Sequence, residues 1–219
     1  MNDLNEYSDA REAMILEIAK SAGAISPRVL EAIRSVPRHE FVPEAQKACA
    51  YENRPLPIGE QQTISQPLMV AIMTDMLDVQ PDDVVLEVGT GSGYQAVVLA
   101  KLARQVYTLE RREPLAVTAR ETLCRLGFAN IEVIVADGSQ GRPEHAPYDR
   151  ILVTAGSPAV PEALTGQLAP HGKMVIPVGD FSYQVLTLVE MTPEGPEIRR
   201  GVGCVFVPLV GKYAWGQGQ

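Results

Sequence analysis

The stretch "VVLEVGTGSGYQ", from Val84 to Gln95, constrains the fold of this chain more than any other part of the sequence. An apolar run typical of a buried strand passes directly into three glycines, and helix-forming residues follow from about Tyr94. Glycines permit positive φ angles and a close approach of the backbone to a ligand, and the helix that follows presents unpaired N–H groups. The stretch therefore predicts the first strand of an α/β sheet, with a nucleotide-like ligand at its carboxyl end.

The same alternation of strand and helix continues downstream. The runs "DVVLEV", "QVYTLE", "IEVIVA", "YDRILVT" and "GKMVIPV" are separated by helical stretches such as "REPLAVTARETLCRLG". This pattern predicts a doubly wound, mostly parallel Rossmann-like α/β sheet with helices on both faces. The last two runs, "YQVLTLVEM" and "GCVFVPLV", are joined through "TPEGPE", which is too short for a crossover helix, so we expect an antiparallel edge.

The first 80 residues read differently. Asp9 and Glu12 predict a capping box for a helix over "AMILEIAK", and Ser26 followed by Pro27 predicts the start of a second helix. The segment "PRHEFVPEAQKACAYENRPLPIGEQQTIS" predicts a long irregular connection with one helical turn, and loops of that length are often functional. We expect a single domain over residues 1–219, with N-terminal helices and an active-site loop in 1–80 and a cofactor-binding core in 81–219.

Charge and composition exclude several classes of partner. Acidic residues outnumber basic ones by 27 to 19, so the net charge of −8 gives no general attraction for nucleic acid or anionic membranes. We find no signal-peptide pattern and no apolar stretch near the ~20 residues that span a bilayer, which predicts a cytoplasmic protein. The three cysteines and three histidines are scattered, so no metal site is expected. The oligomeric state is not determined, although a monomer is plausible.

Acidic residues at strand ends are candidate ligands for a nucleoside. Glu110 ends "VYTLE", where its carboxylate could accept both ribose hydroxyls, although it could also be a solvated acid at a helix start. Asp137, followed by Gly138, could accept from an adenine amino group or form an ordinary Asx turn. Glu87 lies within an apolar strand, where an unpaired carboxylate is costly, so we expect it to hydrogen-bond the glycine loop or the cofactor. Tyr94 stands where a dinucleotide fingerprint requires glycine, which disfavours a nicotinamide dehydrogenase.

Several motifs together carry a family resemblance. "LEVGTGSGYQ", "LERRE", "VIVADGSQGRPEHAPYDRILVTAG" and "LAPHGKMVIPVG" resemble the successive motifs of class I S-adenosylmethionine-dependent methyltransferases. "LPIGEQQTISQPLMVAIMTDML", "SVPRHEFVPE" and "VFVPLV" narrow the resemblance to the protein-L-isoaspartate O-methyltransferase family, over about residues 13 to 212. The resemblance implies methyl transfer from S-adenosyl-L-methionine to the α-carboxylate of L-isoaspartyl residues in damaged proteins and peptides, with S-adenosyl-L-homocysteine as product. The methyl ester then closes to a succinimide, which can reopen as aspartate.

The resemblance also implies a set of site residues. Ser65 matches the active-site serine and is expected to donate to the substrate carboxylate; the alternative is that it caps the helix over "QPLMVAIMTDML". The expected cofactor-binding residues are Gln62, Thr63, Ile64, Glu87, Gly89, Thr90, Gly91, Ser92, Glu110, Asp137 and Gly138. Backbone groups of Val153, Thr154, Ala155, Pro177, Val178 and Gly179 are expected to bind the peptide.

Two features leave alternatives open. Arg142 stands where an aromatic residue often occurs in this family, so substrate range or local packing could differ. A methyltransferase for a small molecule would share the cofactor motifs but has no reason to carry "TISQP", whereas a catalytically silent homologue could keep all of them. The lack of a histidine or metal constellation agrees with the implied chemistry, because a carboxylate with a pKa near 4 is ionised at neutral pH and needs no general base.

Overall fold

The computed structural model describes residues 7–21 and 23–216 of the chain. The helices are α1 (Ser8–Ser21), α2 (Pro27–Ser35), α3 (Pro67–Leu77), α4 (Tyr94–Ala100), α5 (Glu113–Arg125) and α6 (Glu162–Thr165), with short 3-10 helices at Arg38–Phe41, Glu44–Cys49, Gly138–Gln140 and Pro143–His145. The strands are β1 (Leu56–Gly59), β2 (Gln62–Ile64), β3 (Val84–Val88), β4 (Gln105–Glu110), β5 (Ile131–Val135), β6 (Tyr148–Val153), β7 (Leu168–Gly179), β8 (Gln184–Thr192) and β9 (Gly195–Cys204).

Seven strands form one sheet in the order β5-β4-β3-β6-β7-β8-β9. Strands β3 to β7 run parallel to one another, and β8 and β9 add an antiparallel edge, so the predicted fold class is confirmed. The chain reaches β4 and β5 on one side of β3 and returns to β6 on the other. The glycine turn after β3 therefore lies at the point where the strand order reverses, which is where open α/β sheets bind ligands.

Apolar side chains pack on both faces of this sheet. The larger cluster joins α1, α2, α3 and α4 to one face, and a smaller cluster around Tyr148, Leu164 and Met174 covers the other. Helix α3 packs against β6, β7 and β8, which brings its N-terminus to the same edge of the sheet as the glycine turn. None of the helices in the described residues is long and apolar enough to cross a membrane.

The predicted helix starts in the first 40 residues need two corrections. Helix α1 begins at Ser8, so Asp9 lies in its first turn and the predicted capping box is wrong. Helix α2 begins at Pro27 with Ser26 at the N-cap, as predicted, but the serine side chain makes no capping hydrogen bond. Instead the backbone N–H of Ser26 donates to Asp75 Oδ1 at 2.8 Å, which ties α2 to the end of α3.

The segment predicted to be irregular is more ordered than expected. It contains two 3-10 helices and an antiparallel hairpin in which Leu56 pairs with Ile64. The hairpin turn holds Glu60 at φ 50° and Gln61 at φ 57°, a conformation that hairpins usually build from Asn and Gly. Because the turn lacks those residues and both strands are short, the sequence pattern did not reveal the hairpin.

The last strand lies earlier in the chain than predicted. Strand β9 covers Gly195–Cys204 rather than "GCVFVPLV", and its side chains are exposed almost throughout because it is the edge of the sheet. The apolar residues that follow leave the sheet and cross the end of β6, where Gly156 N–H donates to Val207 O and Leu209 N–H donates to Gly156 O, both at 2.8 Å. We call residues 205–216 the C-terminal strap.

Candidate active site

A cavity opens at the carboxyl ends of β3, β4 and β6, and we call it the first cavity. The predicted cofactor residues that line it are Gln62, Thr63, Ile64, Gly89, Thr90, Gly91, Ser92, Glu110 and Gly138. The same cavity is lined by side chains that the sequence did not single out: Val70, Gln95, Leu109, Arg111, Arg112, and Val207 to Val210 of the strap. Residues far apart in the chain therefore meet around the glycine turn.

The glycine loop has a backbone that other residues would adopt with strain. Gly89, Gly91 and Gly93 have φ values of 103°, 53° and 87°, and the N–H groups of Gly89 and Thr90 both donate to Leu109 O, at 2.9 and 3.1 Å. A Cβ on Gly89 would collide with the hydroxyl of Thr154, which donates to Gly89 O at 2.7 Å. The close fit against β6 thus requires glycine at this position.

Glu110 forms part of the cavity wall at the end of β4. Its carboxylate accepts hydrogen bonds from the N–H groups of Gly91 and Arg112, both at 2.9 Å, and the residue is 6% exposed. The alternative of a solvated acid at a helix start is therefore wrong. Each oxygen has a second lone pair, so the carboxylate can still accept the two hydroxyls of a ribose.

Glu87 lies behind the cavity rather than in its lining. It is fully buried, and the hydroxyl of Thr108 donates to its Oε2 at 2.5 Å. Thr108 in turn lies 2.7 Å from the hydroxyl of Thr90, which lines the cavity. Burial raises the pKa of the Glu87 carboxyl to about 8, and its Oε1 has no hydrogen-bond partner within the described part of the chain. The expected hydrogen bond from Glu87 to the glycine loop is therefore not present: Glu87 bonds Thr108 of β4, and only Thr108 contacts Thr90 of the loop.

Asp137 does not line the cavity. Its carboxylate accepts from the N–H and hydroxyl of Ser139, at 3.0 and 2.7 Å, and from the N–H of Lys212 in the strap at 2.9 Å. This is the Asx turn that the sequence left open as an alternative, extended by a contact to the strap. The side-chain amide of Gln140 also donates to Asp137 at 3.2 Å, so each carboxylate oxygen already accepts two hydrogen bonds. The structure therefore does not bring Asp137 to the position predicted for an adenine contact, whereas the adjacent Gly138 does line the cavity.

A second cavity adjoins the first. It is lined by uncharged residues from the active-site loop, helix α3, the end of β6 and the start of the strap: Pro55, Thr63, Ser65, Gln66, Met69, Thr154, and Gly203 to Val207. Thr63, Ser65, Thr154 and Val207 line both cavities. Ser65 therefore lies where the two cavities meet. It is not the cap of α3, because Gln66 occupies the N-cap and the side chain of Asn53 accepts from the Leu68 N–H in the first turn at 3.1 Å.

The residues predicted to bind peptide are only partly at these cavities. Thr154 lines both, Ala155 lines the first, and Val153 is buried within β6. The assignment of Pro177, Val178 and Gly179 is not supported, because they line neither cavity and their backbone groups are already paired. Ser157 N–H donates to Pro177 O at 2.9 Å, Gly179 N–H donates to Ser157 O at 3.0 Å, and all three residues pair with β8.

Arg142, the departure from the family pattern, is also away from both cavities. Its N–H donates to the side chain of Gln167 at 2.8 Å, and its carbonyl accepts from the hydroxyl of Tyr148 at 2.7 Å. The substitution is therefore accommodated in local packing. Sequence reasoning misses Gly203 to Val207. These residues overlap "VFVPLV", which resembles a family motif but whose pattern predicts a strand.

Comparison with known proteins agrees with this geometry. A Methanopyrus kandleri protein-L-isoaspartate O-methyltransferase is 56% identical over 213 residues, covering 94% of this chain and 93% of the relative. One from Trichlorobacter lovleyi is 52% identical over 210 residues, covering 95% of this chain and 97% of the relative. A Plasmodium falciparum structure described as such an enzyme, in complex with S-adenosyl-L-homocysteine, has a TM-score of 0.80 at 26% identity and covers 91% of this chain and 97% of its own.

A second solved protein-L-isoaspartate O-methyltransferase has a TM-score of 0.84 at 27% identity, covering 93% of this chain and 67% of the other. The model of the family described as protein-L-isoaspartate(D-aspartate) O-methyltransferase matches residues 9–214, which include the glycine loop, Ser65 and most of the strap. With the two adjoining cavities at the switch point of the sheet, these matches show that the chain belongs to the protein-L-isoaspartate(D-aspartate) O-methyltransferase family.

Proposed function

We propose that this enzyme transfers a methyl group from S-adenosyl-L-methionine to the α-carboxylate of L-isoaspartyl residues in damaged proteins and peptides. The ester then closes to a succinimide that can reopen as aspartate, so the reaction starts a repair. The single observation that carries the proposal is the position of Ser65 at the junction of two cavities, in a chain that belongs to this family. One cavity suits the methyl donor and the other suits a substrate approaching from the opposite side.

The shape and polar groups of the first cavity suit S-adenosyl-L-methionine, the proposed methyl donor. The glycine loop leaves space that a side chain would fill, and Glu110 offers buried acceptor lone pairs suited to a ribose. Gln62, Thr63 and Ile64 would close over the donor from the hairpin, while Val207 to Val210 of the strap cover the opposite wall. S-adenosyl-L-methionine, when bound, supplies an electrophilic methyl group on a sulfonium.

The residues around the junction have to position the substrate rather than activate it. The substrate carboxylate is already ionised at neutral pH, so rate enhancement comes from holding one oxygen in line with the methyl group and from excluding water. A hydrogen bond donated by Ser65 would hold one carboxylate oxygen and leave the other free to attack. Thr154, which also lines both cavities, would border the path between them.

The lining of the second cavity suits a peptide. Its residues are uncharged, and its outer rim carries Val205, whose residue surface is 70% exposed, next to Phe206. An apolar, uncharged rim can contact a chain whose neighbouring side chains vary, because it requires no particular charge on the partner. This supports a protein or peptide substrate over a small charged metabolite.

The direct test compares two peptides that differ in one linkage. Radiolabelled S-adenosyl-L-methionine is incubated with the enzyme and either an L-isoaspartyl peptide or its aspartyl twin of the same sequence. We expect base-labile label on the isoaspartyl peptide alone. Equal labelling of both peptides, or of neither while calorimetry shows that the donor binds, would refute the proposed substrate.

A further inference from the structure

Arg38 is a charged side chain in an unusual place. It opens the 3-10 helix Arg38–Phe41 and is 0% exposed, although arginine is among the residues least often fully buried. Within the described part of the chain no carboxylate forms an ion pair with it, and the neighbouring Glu40 pairs with His39 and Arg125 instead. A buried charge without a carboxylate partner is unfavourable, so its surroundings have to provide the compensation.

The guanidinium contacts three separate segments of the chain. Nη2 donates to the carbonyl oxygen of Ser65 at 2.7 Å, and Nε donates to that of Ala50 at 2.8 Å. The guanidinium carbon lies 4.8 Å from the ring centre of Tyr94, in cation–π geometry. Tyr94 is the first residue of α4 after the glycine loop and lines the first cavity.

These contacts join the two halves of the site. Ser65 belongs to the loop on the substrate side, whereas Tyr94 begins the helix that carries the cofactor loop. The planar guanidinium can donate in two directions while its face rests on an aromatic ring, which a lysine ammonium cannot reproduce. Arg38 lines neither cavity, so it acts on the site only through the residues it holds.

We propose that Arg38 is the positioning residue for Ser65: it fixes the serine backbone against the glycine-loop helix and so aligns the serine hydroxyl with the junction of the two cavities. The inference rests on the proposed methyl transfer. It differs from a general stabilising role in one measurable way. If Arg38 acts through Ser65, removing Arg38 has little further effect once the Ser65 hydroxyl is gone.

The test is a double-mutant cycle of Arg38→Met and Ser65→Ala, with turnover on the isoaspartyl peptide and S-adenosyl-L-homocysteine affinity as readouts. We expect Arg38→Met alone to lower kcat tenfold to a hundredfold, with the product Kd changed by less than threefold. In the Ser65→Ala background the same change should alter kcat by less than threefold. Equal losses in both backgrounds, or a Kd that worsens in step with kcat, would overturn the proposal.

A matched control and a second variant keep the result interpretable. Arg120 also donates two hydrogen bonds to a backbone carbonyl, that of Val133, away from both cavities, so Arg120→Met should leave kcat within twofold of wild type. If Arg38→Met does not fold by circular dichroism, the same cycle is run with Arg38→Lys, for which we expect a threefold to tenfold loss of kcat that again disappears without the Ser65 hydroxyl.

A measurement that does not depend on enzyme activity tests the role of Arg38 separately from the proposed function. The amides of Leu68 and Val70, in the first turn of α3 after Ser65, donate to Asn53 Oδ1 and Gln66 O at 3.1 Å each. In the complex with S-adenosyl-L-homocysteine their hydrogen exchange should be at least tenfold faster in the Arg38 variant, whereas the amides of β4 should be unaffected. Unchanged exchange would overturn the positioning role even if wild type proved inactive on isoaspartyl peptides. If the wild-type enzyme were inactive on isoaspartyl peptides but exchange were still faster in the Arg38 variant, the proposed substrate would be refuted. The positioning of Ser65 by Arg38 would remain supported.

Discussion

The two cavities are built in different ways. The first is centred on one continuous stretch, Gly89 to Ser92, and on the ends of the strands next to it, with residues 62–65 and 207–210 completing the wall. The second is assembled from residues 55–69, Thr154 and residues 203–207, which meet only in the folded chain. A cofactor site that depends on a local backbone shape can be recognised from a short motif, whereas a substrate site made by tertiary packing cannot.

The two cavities also differ in the charged residues around them. The buried Glu110 lines the first cavity together with Arg111 and Arg112, and the proposed donor there carries a positive sulfonium, whereas the raised pKa of Glu87 keeps that acid neutral behind the cavity at pH 7. The second cavity has no charged lining, and the nearest buried charge that we identify is the Arg38 cation behind Ser65. Glu110 thus gives the donor side a buried acid, and Arg38 gives the acceptor side a buried cation. The variants below test whether changes at one cavity leave the function of the other unaffected.

The largest effect is expected for Gly89→Ala on the cofactor side. The substitution places a Cβ against the Thr154 hydroxyl at a φ of 103°, so we expect a combined loss of roughly 2–6 kcal/mol in unfolding free energy and product binding. Gly127→Ala is the control, because its φ is 76° but nothing lies within 4 Å of the added carbon. It should cost about 1–2 kcal/mol of stability and no affinity. Similar losses in both variants would show that close packing at Gly89 is unimportant.

The next largest effect is expected for Glu87, which should make the stability of the protein depend on pH. Its pKa is about 8 in the folded state, against 4.5 as the ordinary value, so between these pH values the folded protein holds a proton that the unfolded chain has lost. Raising the pH through this window therefore destabilises wild type through this group. We expect the unfolding free energy of Glu87→Gln, relative to wild type, to rise by roughly 2–5 kcal/mol from pH 5 to pH 8.

Urea denaturation at both pH values measures this difference. Glu132→Gln, on an exposed position of β5, controls for the loss of one formal charge. A relative stability of Glu87→Gln that is flat with pH would mean that Glu87 is ionised in the folded protein.

Glu110→Ala should weaken cofactor binding by roughly 2–4 kcal/mol, or about thirtyfold to a thousandfold in Kd, because it removes two charge-assisted hydrogen bonds to the ligand. S-adenosyl-L-methionine and S-adenosyl-L-homocysteine should lose affinity in parallel, since they share the ribose. Glu110→Asp should lose less. Calorimetric titration decides the matter, with Glu113→Ala on the exposed side of α5 as control. A much greater loss for the cationic donor than for the product would indicate a long-range charge effect instead of ribose binding.

The smallest effect is expected on the substrate side. Ser65→Ala should lower kcat by about tenfold to a hundredfold, corresponding to a hydrogen bond to a charged group worth roughly 1.5–3 kcal/mol, with product affinity nearly unchanged. Ser35→Ala, whose hydroxyl bonds the carbonyl of Ala32 at the end of α2, is the control. Turnover at the wild-type level in a folded Ser65→Ala variant would contradict both the role of Ser65 and the separation of the two sides.

Local patterns in the sequence determined much of this protein. Apolar β-branched runs between helical stretches determined the parallel sheet, and the glycine spacing after Val88 determined where the first cavity lies. The position of Glu110 at the end of β4 followed in the same way, because the carboxyl ends of adjacent parallel strands meet at one edge. Each of these depends on residues close in the chain, where periodicity and turn chemistry act directly.

Tertiary structure decided the rest, because each remaining choice depends on which distant segment approaches. Asp137 points to Lys212, 75 positions along the chain, and not into the cavity, since the strap brings the N–H of Lys212 to its carboxylate. The apolar run after Cys204 crosses the end of β6 instead of forming a strand, because the polar β9 already completes the sheet edge. The carbonyl of Ser65 accepts a hydrogen bond from a buried arginine, Arg38, which lies 27 positions earlier in the chain. In each case several polar groups with similar local chemistry could serve as the partner. Only the packing of the folded chain decides which of them comes close enough to bond.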